Sequence, residues 1–389
     1  MNLSLTADEL AFRERMRTFF STQIPAGVRE RSAAGEVSAE DITATQQILN
    51  ANGLAVPYWP LEWGGQDWTA VQRHIWRDEM QLASVPEPLA FNTAMVGPVI
   101  ATFGSQEQKQ RFLPPTANLD IWWCQGFSEP EAGSDLASLK TQAVRDGEEY
   151  IVNGQKTWTT LAQYASWIFC LVRTDTTAAK RQAGISFILI DMATPGVTVR
   201  PIKLIDGGFE VNEVFFQDVR VPAENLVGDE NAGWSYAKFL LGNERTGVTR
   251  IGFSKVRVAR AKQQAAETRV GTGTLLDDPL FAARLAELEN ELLALELTQL
   301  RVVASSSGGK PNPASSLLKL RGSELQQAAT EILMDVAGPD SLPVGAADIE
   351  SPDWAQESAP TYLNYRKTSI YSGSSEVQRS IIASSILGL

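Results

Sequence analysis

Helices first, then a module of short strands, then long helices: the sequence predicts an α+β chain that is mainly α, and three observations carry that prediction. From about residue 5 to 120 apolar residues recur at spacings of three and four, which is the period of amphipathic helices. Between about 121 and 228 the texture changes to short β-branched and aromatic runs parted by turn residues. Beyond 228 the helical period returns and persists. The predicted division is therefore an N-terminal α-helical domain over 1–120, a middle antiparallel β domain over 121–228 and a C-terminal helical bundle over 229–389.

In the first segment Pro57, Pro60, Pro98 and the pair in Trp63-Gly-Gly65 punctuate the helices. The strands predicted next are Tyr150-Ile-Val152, Trp167 to Val172, Ile185 to Ile190, Val197 to Val199 and Val214 to Phe216. Asp146-Gly147, Asn153-Gly154 and Pro195-Gly196 are read as the turns between them. In the last segment Leu285, Leu288, Leu292 and Leu295 make one apolar stripe on a long helix. Ser305-Ser-Ser-Gly-Gly309 and the stretch from Gly338 to about Pro360 interrupt the helices.

At 389 residues, 43% of them apolar, the chain is long enough for two or three packed units. Its 34 basic and 46 acidic residues give a net charge of −12, which repels phosphate backbones and argues against nucleic-acid or anionic-membrane binding. Cys124 and Cys170 have no metal-ligating spacing, so no metal site is expected, and they read as core residues of a protein in a reducing cytoplasm. No exported leader or membrane-spanning run of about 18 apolar residues is recognisable, so neither export nor membrane insertion is expected. The single histidine, His74, falls in a helical run, and no G-x-S-x-G occurs, which leaves a hydrolase triad without its parts.

Three places carry residues suited to chemistry. The loop Gly126 to Asp135 offers small residues, hydroxyls and uncrowded N–H groups that can approach a phosphate or a flat ring, although it could equally be an ordinary turn. The run Asn153 to Thr160 sets Trp158 between hydroxyl residues, where an indole can also be plain core. On the helix read from Trp234 to Ile251, the residues Leu240, Glu244, Val248 and Ile251 share one face, so a carboxylate interrupts an apolar stripe. Such a group is costly unless paired, with Arg245 for example, or used.

Taken together, these segments resemble the acyl-CoA dehydrogenase family along nearly the whole chain. The likeness rests on Trp63-Gly-Gly65, Gly104 to Pro114, the Ser128-Glu-Pro130 loop with Ala132-Gly-Ser-Asp135, the run Asn153 to Thr160, Val219-Arg-Val-Pro222 and the terminal signature Tyr371 to Arg379. It implies a C-terminal four-helix bundle and FAD held without a dinucleotide fingerprint, and no G-x-G-x-x-G follows a predicted strand. By position, Phe127 and Ser128 resemble residues that face the flavin ring, Trp158 and Thr160 those that flank it, and Gly133 and Ser134 those near the cofactor phosphates and the acyl-CoA. Ser374 and Glu376 match positions near the FAD diphosphate. Arg269 matches a residue that grips the adenine end from a neighbouring subunit, but Thr272 stands where an aromatic partner would fall.

In most family members the second signature position is the glutamate that removes the substrate α-proton, and here it is Ser372. A serine hydroxyl is far too weak a base for that step, although its backbone N–H can still face a thioester oxygen. The resemblance to isovaleryl- and long-chain-type members assigns the base to Glu244, with Arg245 orienting it or touching substrate; Gly242 replaces an aspartate common at that point. Among branches, Gln125-Gly126, Lys156 to Leu161, Asn243-Glu-Arg245 and Arg366 to Tyr371 resemble the large subunits of pimeloyl-CoA dehydrogenase-like enzymes and the sterol side-chain dehydrogenases. The implied substrates are dicarboxylyl, branched or ring-bearing acyl-CoAs, and the implied electron acceptor is an electron-transferring flavoprotein. The implied assembly is a homotetramer or an α2β2 tetramer with a second such chain. Two other readings of the fold are an assembly subunit and a flavin oxidase or monooxygenase.

Overall fold

The computed structural model describes residues 5–244, 249–305, 312–342 and 351–389. In chain order come α1 (Ala7–Gln23), α2 (Ala26–Ala34), α3 (Ala39–Ala51), α4 (Ala70–Leu82), α5 (Gly97–Phe103) and α6 (Gln106–Ala117). The strands β1 (Trp123–Gly126), β2 (Gln142–Asp146), β3 (Glu149–Thr160), β4 (Trp167–Arg173), β5 (Ile185–Asp191), β6 (Val197–Ile202) and β7 (Val211–Pro222) follow. Helices α7 (Gly233–Glu244) and α8 (Ile251–Glu267) precede a small hairpin of β8 (Arg269–Val270) and β9 (Gly273–Thr274). Last are α9 (Pro279–Ser305), α10 (Ser315–Ala337), α11 (Asp353–Gln356), α12 (Ser358–Tyr365) and α13 (Ser375–Ile382).

Helix starts are written in the sequence. Thr6 with Glu9, Thr69 with Gln72 and Ser105 with Gln108 each close a reciprocal capping box, which satisfies two N–H groups the helix itself leaves unpaired. The Gln108 side chain does more, donating to the Glu224 and Leu226 carbonyls at 2.7 and 2.8 Å and so tying α6 to the end of the β region.

The chain forms two compact units. One comprises Ile42–Asp67 and Pro88–Glu244 and contains the seven-stranded sheet, ordered β1-β4-β2-β3-β7-β6 with β5 on β4. The alternation of apolar residues predicts these strands, and the faces they bury form a core of Tyr150, Val152, Ile168, Cys170, Ile188, Ile190, Val214 and Val219 among others. Two details differ from the sequence reading. The sheet is antiparallel for the most part, but β1 lies parallel to β4 and so does β2 where Gln142 meets Arg173, pairings that short strands cannot announce in sequence. Asn153-Gly154 is no turn: β3 runs straight through it with a bulge, because the hairpin reversal has already been made at Gly147.

The other unit comprises Met1–Asp41, Trp68–Glu87 and Arg245–Leu389. Helix α10 is its axis, with α8, α9, α12 and α13 packed around it and α4 against α8 and α9. The predicted leucine stripe is buried here, Leu285, Leu288, Leu292 and Leu295 meeting Val258, Leu318, Leu325, Ile332 and Leu333. Among the described residues no helix is long and apolar enough to cross a membrane, and no cluster of three or more His, Cys, Asp or Glu could hold a metal.

The single helix expected from Trp234 to Ile251 is a third correction. Helix α7 is described as far as Glu244, and α8 begins at Ile251 directly after Arg250, which sits in the left-handed region at φ 45°. A left-handed residue cannot continue a right-handed helix, so the apolar period that crosses this point does not trace one continuous face.

Candidate functional site

In the sheet-bearing unit, two segments far apart in sequence are brought together. The Thr157 N–H donates to the Ser128 carbonyl at 2.9 Å, which lays the Phe127–Ser128 loop against β3 just before Trp158. Beneath this contact lies Lys156, fully buried, whose Nζ donates to the Phe127 carbonyl (3.2 Å), the Leu171 carbonyl (2.7 Å) and Glu129 Oε1 (2.7 Å). Glu129 also accepts from the Lys140 N–H at 2.6 Å and the Thr141 N–H at 3.0 Å. Burial alone would raise the Glu129 carboxyl pKa, but the Lys156 charge and these hydrogen bonds outweigh it and hold the group below its ordinary value.

Trp158 is not core. It is 59% exposed and sits at φ 58° within the second β3 bulge, between Lys156 and Thr159. A large aromatic in that backbone region is strained, and it is found where surrounding structure imposes it. Thr160, two residues on, is half-buried opposite Val211. The Phe127 ring turns inward, edge-on to Phe169 and Phe187 at 5.8 and 6.2 Å between centroids, so only its backbone is left for a ligand. Gly133 and Ser134 are exposed on the turn that Glu129 and Ala132 close by exchanging backbone hydrogen bonds.

Three buried polar atoms of this region, Trp122 Nε1, Gln125 Nε2 and Thr159 Oγ1, have no protein partner. Buried polar atoms are nearly always hydrogen-bonded, so donors of this kind in the unit that also carries the exposed indole fit the edge of a flat polar ring. The residues present therefore suit a flavin.

The helical unit contributes the C-terminal turn. Ser372 and Gly373 are both left-handed, at φ 55° and 87°, and Gln378, fully buried on α13, donates to the carbonyls of both at 3.3 Å. Because these peptides are trans, pinning the two carbonyls toward Gln378 turns the N–H groups of Gly373 and Ser374 to the opposite side. The Ser374 hydroxyl caps α13 by accepting from the Val377 N–H at 3.4 Å. Glu376 is exposed in the first turn, its pKa lowered by its own backbone N–H and then by Ser374. Before this turn, Arg257 donates to the Tyr365 hydroxyl at 2.5 Å; burial would raise that phenol, but Arg257 and Arg250 bring it below its ordinary value.

Arg269 is exposed on β8. Glu244 is the last residue of α7, while its carboxylate and the whole of Arg245 and Val248 lie outside the described residues. Sequence reading passed over Lys156, Glu129 and Gln378 as participants. A lysine at an inward strand position and an acid in the facing loop were the available signals for the first two.

The chain matches three family models: "Acyl-CoA dehydrogenase, N-terminal domain" over residues 6–120, "Acyl-CoA dehydrogenase, middle domain" over 124–219 and "Acyl-CoA dehydrogenase, C-terminal domain" over 231–387. It is 37% identical to the acyl-CoA dehydrogenase IpdE1 of Mycobacterium tuberculosis over 351 residues, which cover 90% of this chain and 88% of the relative. Among solved structures it is similar to the ChsE4–ChsE5 complex of Mycobacterium tuberculosis, with a TM-score of 0.86, 33% identity and coverage of 100% of this chain and 99% of that one. It is also similar to the Tcur3481–Tcur3483 steroid ACAD, with a TM-score of 0.88, 28% identity and the same coverage.

Proposed function

The chain belongs to the acyl-CoA dehydrogenase family, and from that premise we propose that it performs FAD-dependent α,β-dehydrogenation of an acyl-CoA thioester to a trans-2-enoyl-CoA. The observation that carries this reading is the exposed, left-handed Trp158 next to Thr157, whose N–H is bonded to the Phe127–Ser128 loop, in a unit that also holds buried polar atoms without a protein partner. In this reading Phe127 and Ser128 back the flavin ring and Trp158 and Thr160 flank it. Gly133 and Ser134, and by family position Ser374 and Glu376, would hold its phosphates, and Arg269 would serve the adenine end of a neighbouring subunit's cofactor. When bound, FAD accepts the hydride that leaves the substrate β-carbon.

The residues of the chain supply the proton chemistry. Glu244 is the proposed base for the α-proton, with Arg245 holding it or the substrate, and Ser372 offers the thioester oxygen a backbone N–H rather than a carboxylate. Ser134 is placed near the CoA. A serine where a glutamate would stand also leaves room beside the α-carbon, which favours a branched, dicarboxylyl or ring-bearing acyl group. Relatives that include a steroid ACAD support the ring-bearing choice. Electrons then pass to an electron-transferring flavoprotein, and the setting is a cytoplasmic tetramer built of chains divided near residues 120 and 228.

The test is spectroscopic. The purified protein should be yellow, should bleach anaerobically with a ring-bearing acyl-CoA faster than with butyryl-CoA, and should reoxidise slowly in air. Fast reoxidation would make it an oxidase, and a preference for short straight chains would remove the cavity argument. A second reading, an assembly subunit beside an unlike catalytic chain, is favoured by relatives solved as two-chain complexes; a colourless protein that gains flavin only with a partner would select it.

A further inference from the structure

Lys156 and Glu129 form a salt bridge that stability alone does not explain. Both are nearly or wholly removed from water, 27 residues apart, and desolvating such a pair typically offsets what its attraction returns. What distinguishes this pair is what its two ends hold. The three protons of the ammonium go to Phe127, Leu171 and Glu129, so one side chain links the loop after β1 to β3 and β4. The carboxylate collects the N–H groups of Lys140 and Thr141 at the entrance to β2. Two residues beyond Lys156 the backbone enters the strained bulge at Trp158, and one residue beyond it Thr157 is bonded to Ser128.

We infer that the Lys156–Glu129 pair is a positioning device for the flavin, setting the Phe127–Ser128 loop and the Trp158 bulge at the spacing a ring needs between them. The inference rests on the proposed flavin site and adds to it two residues that touch no ligand. A strained aromatic persists only where the structure around it over-determines its backbone, and a charged, fully bonded junction immediately before it provides that constraint.

The experiment separates folding from positioning. Lys156→Met alone leaves a buried carboxylate without its partner and should lower the melting temperature of the apoprotein. The double variant Lys156→Met/Glu129→Gln removes both charges, keeps the side-chain volumes and retains an oxygen for the Lys140 and Thr141 N–H groups, so its melting temperature should return toward that of the wild type. Apoprotein titrated with FAD and followed by flavin fluorescence should nevertheless bind roughly 10–100-fold more weakly in the double variant. The visible circular dichroism of the flavin it does bind should be altered. A double variant that binds FAD within about threefold of wild type, with an unchanged dichroism spectrum, overturns the positioning role and leaves a structural pair. Should the double variant fail to fold, Glu129→Gln alone decides: folded with weakened FAD binding supports the inference, and folded with unchanged binding overturns it. Wild-type apoprotein that takes up no FAD overturns the flavin reading itself.

Discussion

At the scale of single residues, the proposed chemistry has a glutamate and a serine exchange roles. The amide needed to polarise a thioester belongs to the backbone and survives any side chain at position 372, whereas the base must be a carboxylate and has to be found elsewhere. If Glu244 is the base as proposed, Glu244→Gln conserves shape and removes it, so anaerobic flavin bleaching by acyl-CoA should slow by about 10²–10⁴-fold. Ser372→Ala should retain most of the wild-type rate, and a collapse of that variant with a healthy Glu244→Gln would reverse the assignment. Gly373 is constrained twice: its φ is 87°, and an added Cβ would stand 2.4 Å from Gln378 Nε2. Gly373→Ala should therefore cost about 1–2 kcal/mol for the left-handed backbone, further destabilise the turn by displacing Gln378, and read out as a lower melting temperature with slower bleaching.

At the scale of elements, α4, α8 and α9 enclose a polar cluster that the sequence reading left as a plain helix face. His74 is half-buried with Nδ1 3.4 Å from Gln299 Nε2, and burial pushes its pKa down to about 4 although Glu296 opposes the shift. Asp78, one turn later, is pushed up to about 6, again by burial, against the pull of Lys255, whose Nζ is 3.9 Å away. The two act in opposite directions on stability. His74, with a folded pKa below its ordinary 6.5, contributes stability that is present above that value and lost as pH falls toward 4. Asp78, raised above its ordinary 3.8, contributes stability that is present below that value and lost as pH rises through 6. Their effects offset one another over most of that window. His74→Gln should expose the aspartate effect, so that melting temperature declines with rising pH between 4 and 6, and Asp78→Asn should expose the histidine effect as a rise. Thermal melts across that range check both, and two variants with the same profile as wild type would dismiss the pair as titrating partners.

The same scale shows what could be read in the chain and what could not. Strands β3 to β7 and the leucine stripe of α9 were legible because side-chain period and burial agree along a single element. The parallel β1–β4 pairing and the Lys156–Glu129 junction were not, since each depends on register between segments that no local pattern specifies. The break between α7 and α8 was hidden for a different reason. Its sequence keeps an apolar spacing across Arg250, and the left-handed backbone there is chosen by the surrounding structure rather than by the arginine. At the site, the loop and the indole were identifiable from the family's motifs, but only the structure sets the one against the other.

For the whole molecule, the distribution of apolar surface bears on assembly. Within 370–389, Ile370, Ile386, Leu387 and Leu389 are exposed by 68, 48, 63 and 87%, although α13 is strongly amphipathic and Gln378 and Ser375 anchor it. Large side chains concentrated in one exposed stretch are what a subunit interface presents, and a net charge of −12 does not shield that stretch. The protein purified alone should therefore sediment as more than a monomer. Ile386→Asp with Leu387→Asp should shift it toward smaller species while leaving helix content by circular dichroism unchanged. The flavin ratio then tells like partners from unlike ones. One FAD per chain in a particle of four belongs to a homotetramer, whereas flavin well below one per chain, restored on co-expression with a second family member, belongs to an α2β2 assembly. A monodisperse monomer carrying a full complement of FAD would exclude both, and with them any role for Arg269 across a subunit boundary.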